Sequence, residues 1–390
     1  MIPLCAPYIR NNEWTRIKDC VDTEWVSYAG KYVQQFEQNL CHYTGAQYAA
    51  VTISGTAALH IALIAAGVRQ NDEVILPALS FVAPANAIRY QGAWPTFVDV
   101  SMADWQMDTG QIEDFLDNSC ERDSGGELRN KHTGRRIAAI MPVHLLGGMA
   151  DLDALISIAE DYQLPLIEDA AESLGTRWKD KGIGAPHPQE ESIKRFVCSS
   201  FNGNKIMTTG GGGVLLTNDE ATAQLSRHLS TTAKTNDIEF DHDQVGYNYR
   251  MNNIAAALGI GQLEQLDFFL ARKKEIAERY TQAFSNQKGI TATLPTGTHV
   301  TNSYWLYTIL LEKNSRNLLN HLTEKGIQTR PLWKALCDLP YLERSYIHSA
   351  DNTRHLTNNS LSIPSSVGLP NTDQQKVIHS IQTYLGSCAL

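Results

Sequence analysis

The sequence predicts an α/β protein, a large and mostly parallel sheet with crossover helices followed by a smaller α+β domain. From about residue 45, short β-branched apolar runs alternate with longer stretches of helical spacing, the pattern of parallel strands joined by helices. Each run is bounded by Gly, Pro or Asp, which favours buried strands over fragments of helix. Beyond Asn253 the alternation stops, and one long helical pattern leads into a mixed tail. The 390 residues also exceed the roughly 250–300 at which a single core stops growing. Two domains are therefore expected, at residues 1–260 and 261–390.

Tyr48 to Ser54 (YAAVTIS) reads as the first strand and GTAALHIALIAAG as the helix after it. Glu73 to Pro77 (EVILP) is the next strand, FVAPANAIRYQG a helix, and Pro95 to Val100 (PTFVDV) a further strand. The polar, turn-rich NSCERDSGGELRNKHTGR reads as a surface excursion. The alternation resumes with Arg136 to Val143 (RIAAIMPV), the helix DLDALISIAEDY and the strand Leu164 to Asp169 (LPLIED). RFVCSSF and GGVLLTN are apolar runs on either side of a loop that carries one lysine. Asn253 to Phe284 reads as a long connecting helix or a kinked pair, with Gly259 and Gly261 its only strong breakers. YWLYTILL is a strand, helical stretches follow, and DQQKVIHSIQTYLG is the closing helix.

Composition excludes some functions. With 42 Asp+Glu against 33 Lys+Arg the formal charge is −9, which argues against nucleic acid as a partner, because phosphate backbones need clustered Lys and Arg. A local basic pocket is still allowed. No segment reaches the ~18–20 uninterrupted apolar residues of a membrane span, and the amino terminus lacks a basic stretch followed by an apolar run. A cytoplasmic protein with no membrane partner is expected. Cys5, Cys20, Cys41, Cys120, Cys198, Cys337 and Cys388 are scattered without CxxC spacing, so they read as buried reduced thiols, and no metal site is expected.

Several positions sit where strands hand over to helices. SGTAAL, Ser54 to Leu59, is either an ordinary capped βα turn or a phosphate cradle at a helix start. Asp169 ends a buried-looking strand, where ligands of open α/β sheets bind, although an N-cap is the alternative. Phe81 could cover a planar ligand or fill the core. His144 has no carboxylate or second ligand nearby in sequence and reads as a structural or pocket-edge histidine. Lys205 lies in SSFNGNKIMTTGGGGVLLTND among Asn202, Asn204, Thr208 and Thr209, with no acidic neighbour. Partial desolvation there favours a neutral, nucleophilic amine; a phosphate-binding or simply exposed lysine is equally compatible with the local sequence.

Taken together, SGTAALHIAL, LPALSFVAPANAI, LIEDAAESLG, SSFNGNKIMTTGGGG and VGYNYRMNNIAAALGIGQL resemble, in order and spacing, the DegT/DnrJ/EryC1/StrS family of sugar aminotransferases. The resemblance implies an aspartate-aminotransferase-like fold (fold type I), pyridoxal 5'-phosphate (PLP) as cofactor, and a homodimer with shared active sites. It also implies L-glutamate as amino donor and a nucleotide sugar as acceptor. IPLCAPYIRNNEW, DTEWVSYAGKYVQQFE and TRPLWKAL narrow the likeness to enzymes that aminate C4 of UDP-linked 4-keto-6-deoxy-N-acetylhexosamines, as in bacillosamine and legionaminate synthesis. By resemblance Lys205 forms the Schiff base with PLP, Asp169 pairs with its ring nitrogen, Glu172 lies near its ring hydroxyl and Phe81 stacks on the ring. Gly55, Thr56 and Ser200 would hold the phosphate, and Asn248 would reach the phosphate of the neighbouring subunit's cofactor.

The chain departs from that pattern twice. Many relatives have glutamine where this chain has Glu172, and GAPHPQEESIKR replaces the short turn common before the SF strand. For substrate, Arg330 beside Trp333 is a candidate pair, since a guanidinium suits phosphate oxygens and an indole can cover a sugar or base; packing of the small domain is the alternative. Other readings are a C3 aminotransferase, a sugar dehydratase of the same family, a PLP-binding regulator without turnover, and a nicotinamide-dependent oxidoreductase. Lys205 stands against the dehydratase, which has histidine there. The absence of a GxGxxG after a strand stands against the oxidoreductase.

Overall fold

Seven strands lie side by side in one sheet: β1 Tyr48–Thr52, β2 Glu73–Pro77, β3 Trp94–Val98, β4 Ile137–Ile140, β5 Leu166–Asp169, β6 Arg195–Ser200 and β7 Gly213–Thr217. This computed structural model describes residues 1–188, 190–236 and 238–387; Cys388 lies outside the described residues. The spatial order is β1-β7-β6-β5-β4-β2-β3. The pairs from β6 through to β3 are parallel, whereas β7 runs antiparallel to both β1 and β6. The cause is local: residues 201–212 between β6 and β7 contain no helix to carry the chain back, so it returns by a loop. Every residue of β2, β3, β4, β5 and β7 is buried. That is why these segments read as continuous apolar runs rather than alternating ones.

The helices are α1 Glu13–Asp22, α2 Lys31–Thr44, α3 Gly55–Ala65, α4 Ala83–Tyr90, α5 Thr109–Ser119, α6 Leu152–Tyr162, α7 Glu220–Ser230, α8 Asn253–Leu263 and α9 Leu266–Phe284. Ser54, Asp151, Asp219 and Asn252 cap α3, α6, α7 and α8 by accepting a backbone N–H three residues on. The expected long helix is a pair, α8 and α9, bent by 59°. Neither glycine causes the bend. Gly259 and Gly261 lie inside α8, where a Cβ would fall 2.6 Å from Phe36 of α2 and 3.0 Å from Glu13 of α1. Among the described residues no single helix is long and apolar enough to cross a membrane.

The carboxy-terminal part holds β8 Ile290–Thr293, β9 Tyr307–Leu311, β10 Tyr346–Ile347 and β11 Ser360–Ile363, with α10 Arg316–Glu324, α11 Asp351–Asn359 and α12 Asn371–Ser387. β8, β9 and β11 form an antiparallel sheet. Strand pairing crosses the expected division at residue 260 in several places: β10 pairs with β3 as an eighth strand of the large sheet, Ile2 bridges to Ile327, and Val300 and Thr301 pair with Trp178 and Arg177. The polar stretch before β4 is only partly a surface excursion. Its Asn130 is fully buried and donates to the buried Glu73 at 2.8 Å, as does Thr133. The six described cysteines are free; Cys5 and Cys41 are half-buried rather than buried.

Candidate active site

The carboxyl ends of the parallel strands open into a cavity of about 360 Å³. Gly55, Thr56, Phe81, Asp169, Glu172, Ser200, Lys205 and Trp333 all line it. Asp169 is the last residue of β5 and is buried; one carboxylate oxygen accepts the Ala171 N–H at 3.0 Å. Burial pushes its carboxyl up, against the opposing pull of that N–H and of the Lys205 charge. Burial likewise raises Glu172, opposed chiefly by Lys205. Glu172 Oε2 accepts the Leu146 N–H at 2.8 Å, and Oε1 lies 3.3 Å from Lys205 Nζ. Leu146 adopts φ 59° to direct that N–H, a strained conformation for a non-glycine residue.

The expectation that Lys205 lacks acidic neighbours holds only along the chain. The parallel pairing of β5 and β6 places the turn after Asp169 beside the loop after Ser200, and so sets Glu172 against the amine. Lys205 also meets Trp305, whose ring centroid is 3.9 Å from Nζ. Sequence reasoning missed this residue. Its signal, the YW of YWLYTILL, is absorbed into an apparent strand; the strand begins only at Tyr307, and Tyr304 has φ 52°.

Below Asp169, strand alternation turns Glu168 to the other side of the sheet. Glu168 Oε1 accepts from Arg195 Nε at 2.5 Å, and Oε2 lies 2.9 Å from His144 Nε2. Burial alone would raise this acid; Arg195 and His144 hold it down at about 2. His144 is fully buried and does have a carboxylate partner, contrary to its reading in isolation. Because Nδ1 accepts the Ala150 N–H at 3.3 Å, the neutral ring is assigned its proton on Nε2.

At the far end of the cavity α3 begins. Ser54 takes the Ala57 N–H at 3.1 Å, and the N–H groups of Gly55 and Thr56 have no intrahelical acceptor, which makes this end an anion site. A Cβ on Gly55 would come 2.8 Å from Ser200 Cβ, and one on Gly213 would come 2.5 Å from the Ser54 carbonyl. Gly213, the last of the glycine run, thus serves close approach of β7 to the start of α3. The hydroxyl of Ser80, a cavity residue not foreseen, is buried without a hydrogen-bond partner. Phe81 lines the cavity and is 52 % exposed. An anion cradle, an open aromatic face, an orphaned hydroxyl, a buried acid and an amine fit PLP as a donor set.

Two expected residues lie elsewhere. Asn248 is exposed, outside this chain's cavity, in a bridge with Thr231. Arg330 is exposed and donates to the Thr329 carbonyl at 2.8 Å; it does not line the cavity, so the structure parts it from Trp333.

This fold and donor set define a PLP-dependent enzyme of fold type I. The chain belongs to the DegT/DnrJ/EryC1/StrS aminotransferase family, whose model matches residues 7–382, and the family's enzymes are PLP-dependent sugar aminotransferases. It is 35 % identical over 347 residues to a protein named GDP-perosamine synthase from Escherichia coli O157:H7, covering 88 % of each. It is 33 % identical over 396 residues to another of that name from Caulobacter vibrioides, covering 98 % of each. The aminotransferase TlmJ from Streptoalloteichus hindustanus superposes with a TM-score of 0.89 at 25 % identity over 100 % of both chains.

Proposed function

We propose that the chain transfers an amino group from L-glutamate to C4 of a UDP-linked 4-keto-6-deoxy-N-acetylhexosamine, in a ping-pong cycle. The observation that carries the aminotransferase part is Lys205 Nζ at 3.3 Å from Glu172 in the cavity that Asp169 closes. PLP, when bound, supplies an electron sink for a carbanion at the donor or sugar carbon. Lys205 would hold the cofactor covalently through Nζ. Once displaced, the same amine would take the proton from the donor's α-carbon and deliver it to the cofactor's C4′, and in the second half-reaction would carry a proton from C4′ to the sugar's C4. Asp169 would keep the ring-nitrogen proton in place by charge, and Glu172 would lie near the ring hydroxyl. Phe81 would cover the ring, Gly55, Thr56 and Ser200 would bind the phosphate, and Asn248 of the partner subunit would complete that site in a homodimer.

We place the cofactor-binding part at residues 1–260 and the small part at 261–390, and the enzyme in the cytoplasm. The names of the two curated relatives favour a second reading, a GDP-linked keto sugar. Trp333 serves either reading as a flat apolar wall. Incubation with glutamate and either UDP- or GDP-linked 4-keto sugar, followed by mass spectrometry, decides between them. Amination of the UDP-N-acetyl compound alone supports the first reading, and preference for the GDP compound replaces it with the second. If neither is aminated while glutamate still reacts, the acceptor lies outside both classes.

A further inference from the structure

Trp305 approaches Lys205 from the far end of the chain. Its indole is 3 % exposed. One face lies 3.9 Å from Nζ, and its N–H donates to the Asn204 carbonyl at 2.7 Å. A single side chain therefore holds both the amine and the peptide unit that carries it.

The indole is itself fixed from several sides. Trp333 stacks on it at 6.4 Å and 6°. Lys273 of α9, a buried cation, donates to the carbonyls of Trp305 and Ser365, both at 2.9 Å. The turn that aims it is wedged as well: Tyr304 has φ 52°, and a Cβ on Gly147 would meet the Tyr304 and Trp305 nitrogens at 2.6 and 2.7 Å.

We propose that Trp305 is a positioning residue whose ring face holds the Lys205 side chain whenever its amine is protonated and not covalently engaged, a role that rests on Lys205 being the cofactor's anchor. A lysine on a four-carbon stem, once released, would otherwise wander among rotamers. A proton carrier must stay within hydrogen-bond reach of its target. The ring attracts the cation without being able to take its proton, while Glu172 receives the other side.

The test uses protein freed of PLP and treated briefly with an amine-acylating ester, the Lys205 peptide being quantified against the other lysine peptides. Trp305→Leu should raise labelling of Lys205 about two- to fivefold, the weight of one cation–π contact, whereas Trp305→Phe, which keeps a ring face, should stay near wild type. With PLP restored, Trp305→Leu should lower kcat and leave KM for glutamate unchanged. Unchanged labelling in Trp305→Leu, an equal rise in Trp305→Phe, or an effect on KM alone overturns the role. Should Trp305→Leu fail to fold, protein made with fluorinated tryptophan keeps the shape and weakens only the ring face. Its Lys205 labelling must rise, and no rise overturns the role. Borohydride reduction of the loaded wild type separates the two claims. No PLP adduct on Lys205 sinks the anchor reading, and an adduct with unmoved labelling sinks the role of Trp305 alone.

Discussion

Asp169 and Glu172 are buried acids whose carboxyls burial pushes up from their ordinary values. In the folded protein they keep protons that the unfolded chain has released, so the native state binds more protons and loses stability as pH rises above about 4. Asp169→Asn removes one such group and should raise the unfolding temperature of PLP-free protein at neutral pH. The gain should fade below about pH 4, which a thermal series across pH would reveal. Adding PLP should reverse the order, because only the aspartate can hold the ring-nitrogen proton by charge. Turnover should fall roughly 10²–10³-fold, the scale of losing one preorganised electrostatic partner; near-normal turnover would make Asp169 only a structural acid. The residues named from motifs are those whose chemistry is local to a strand end, as Asp169 and Ser200 are. What stayed hidden is contact across the chain: Glu172 and Lys205 are 33 residues apart, and Trp305 is 100 residues further on.

Elements buried on both faces were the most legible, since β2, β5 and β7 carry their apolar pattern without help from the rest of the fold. β10 has two residues and no periodicity, and only its pairing with β3 makes it a strand. α1 and α2, which precede the first strand, are not legible in the sequence because their docking on α8 is set by the glycines of a helix some 220 to 250 residues later. The junction of β7 with α3 is equally non-local and can be tested directly. A Cβ at Gly213 would lie 2.5 Å from the Ser54 carbonyl and 2.6 Å from the Gly55 nitrogen, backbone atoms that cannot swing aside. Gly213→Ala should cost about 1–3 kcal/mol in denaturant unfolding and weaken PLP binding in an absorbance titration by splaying the phosphate cradle. Gly203→Ala, in the loop that leads into β7 with nothing within 4 Å, is the control. Beneath the site, Arg195→Met leaves Glu168 buried without its main partner and should destabilise by about 3–5 kcal/mol. Wild type should lose the stability contributed by Glu168 as pH falls from about 4 towards about 2. The variant should lack that loss in the same pH-dependent melts.

At the scale of the whole molecule, one of the expected cofactor residues is out of place in a single chain. Asn248 is exposed and lies outside the cavity that holds Lys205. The same stretch leaves Ile238, Phe240 and Val245 at 84, 67 and 77 % exposure. Apolar side chains so open on one segment suit a surface that another chain covers. If two copies associate so that Asn248 of the partner subunit reaches the phosphate, then each site draws Lys205 from one chain and Asn248 from the other. Lys205→Ala should abolish turnover with the fold intact, and Asn248→Ala should lower it by weakening PLP retention. Mixed and allowed to exchange subunits, the inactive and the weakened protein form a dimer in which one site has both residues intact and the other has neither. Random pairing of equal amounts makes about half the dimers mixed, so recovery should approach a quarter of wild-type activity. Recovery must also track the mixed species, measured by native mass spectrometry after tagging one variant. Mixed dimers without recovered turnover would assign Asn248 to its own chain's site. Failure to find any dimer would leave the exposed Ile238, Phe240 and Val245 for a different partner.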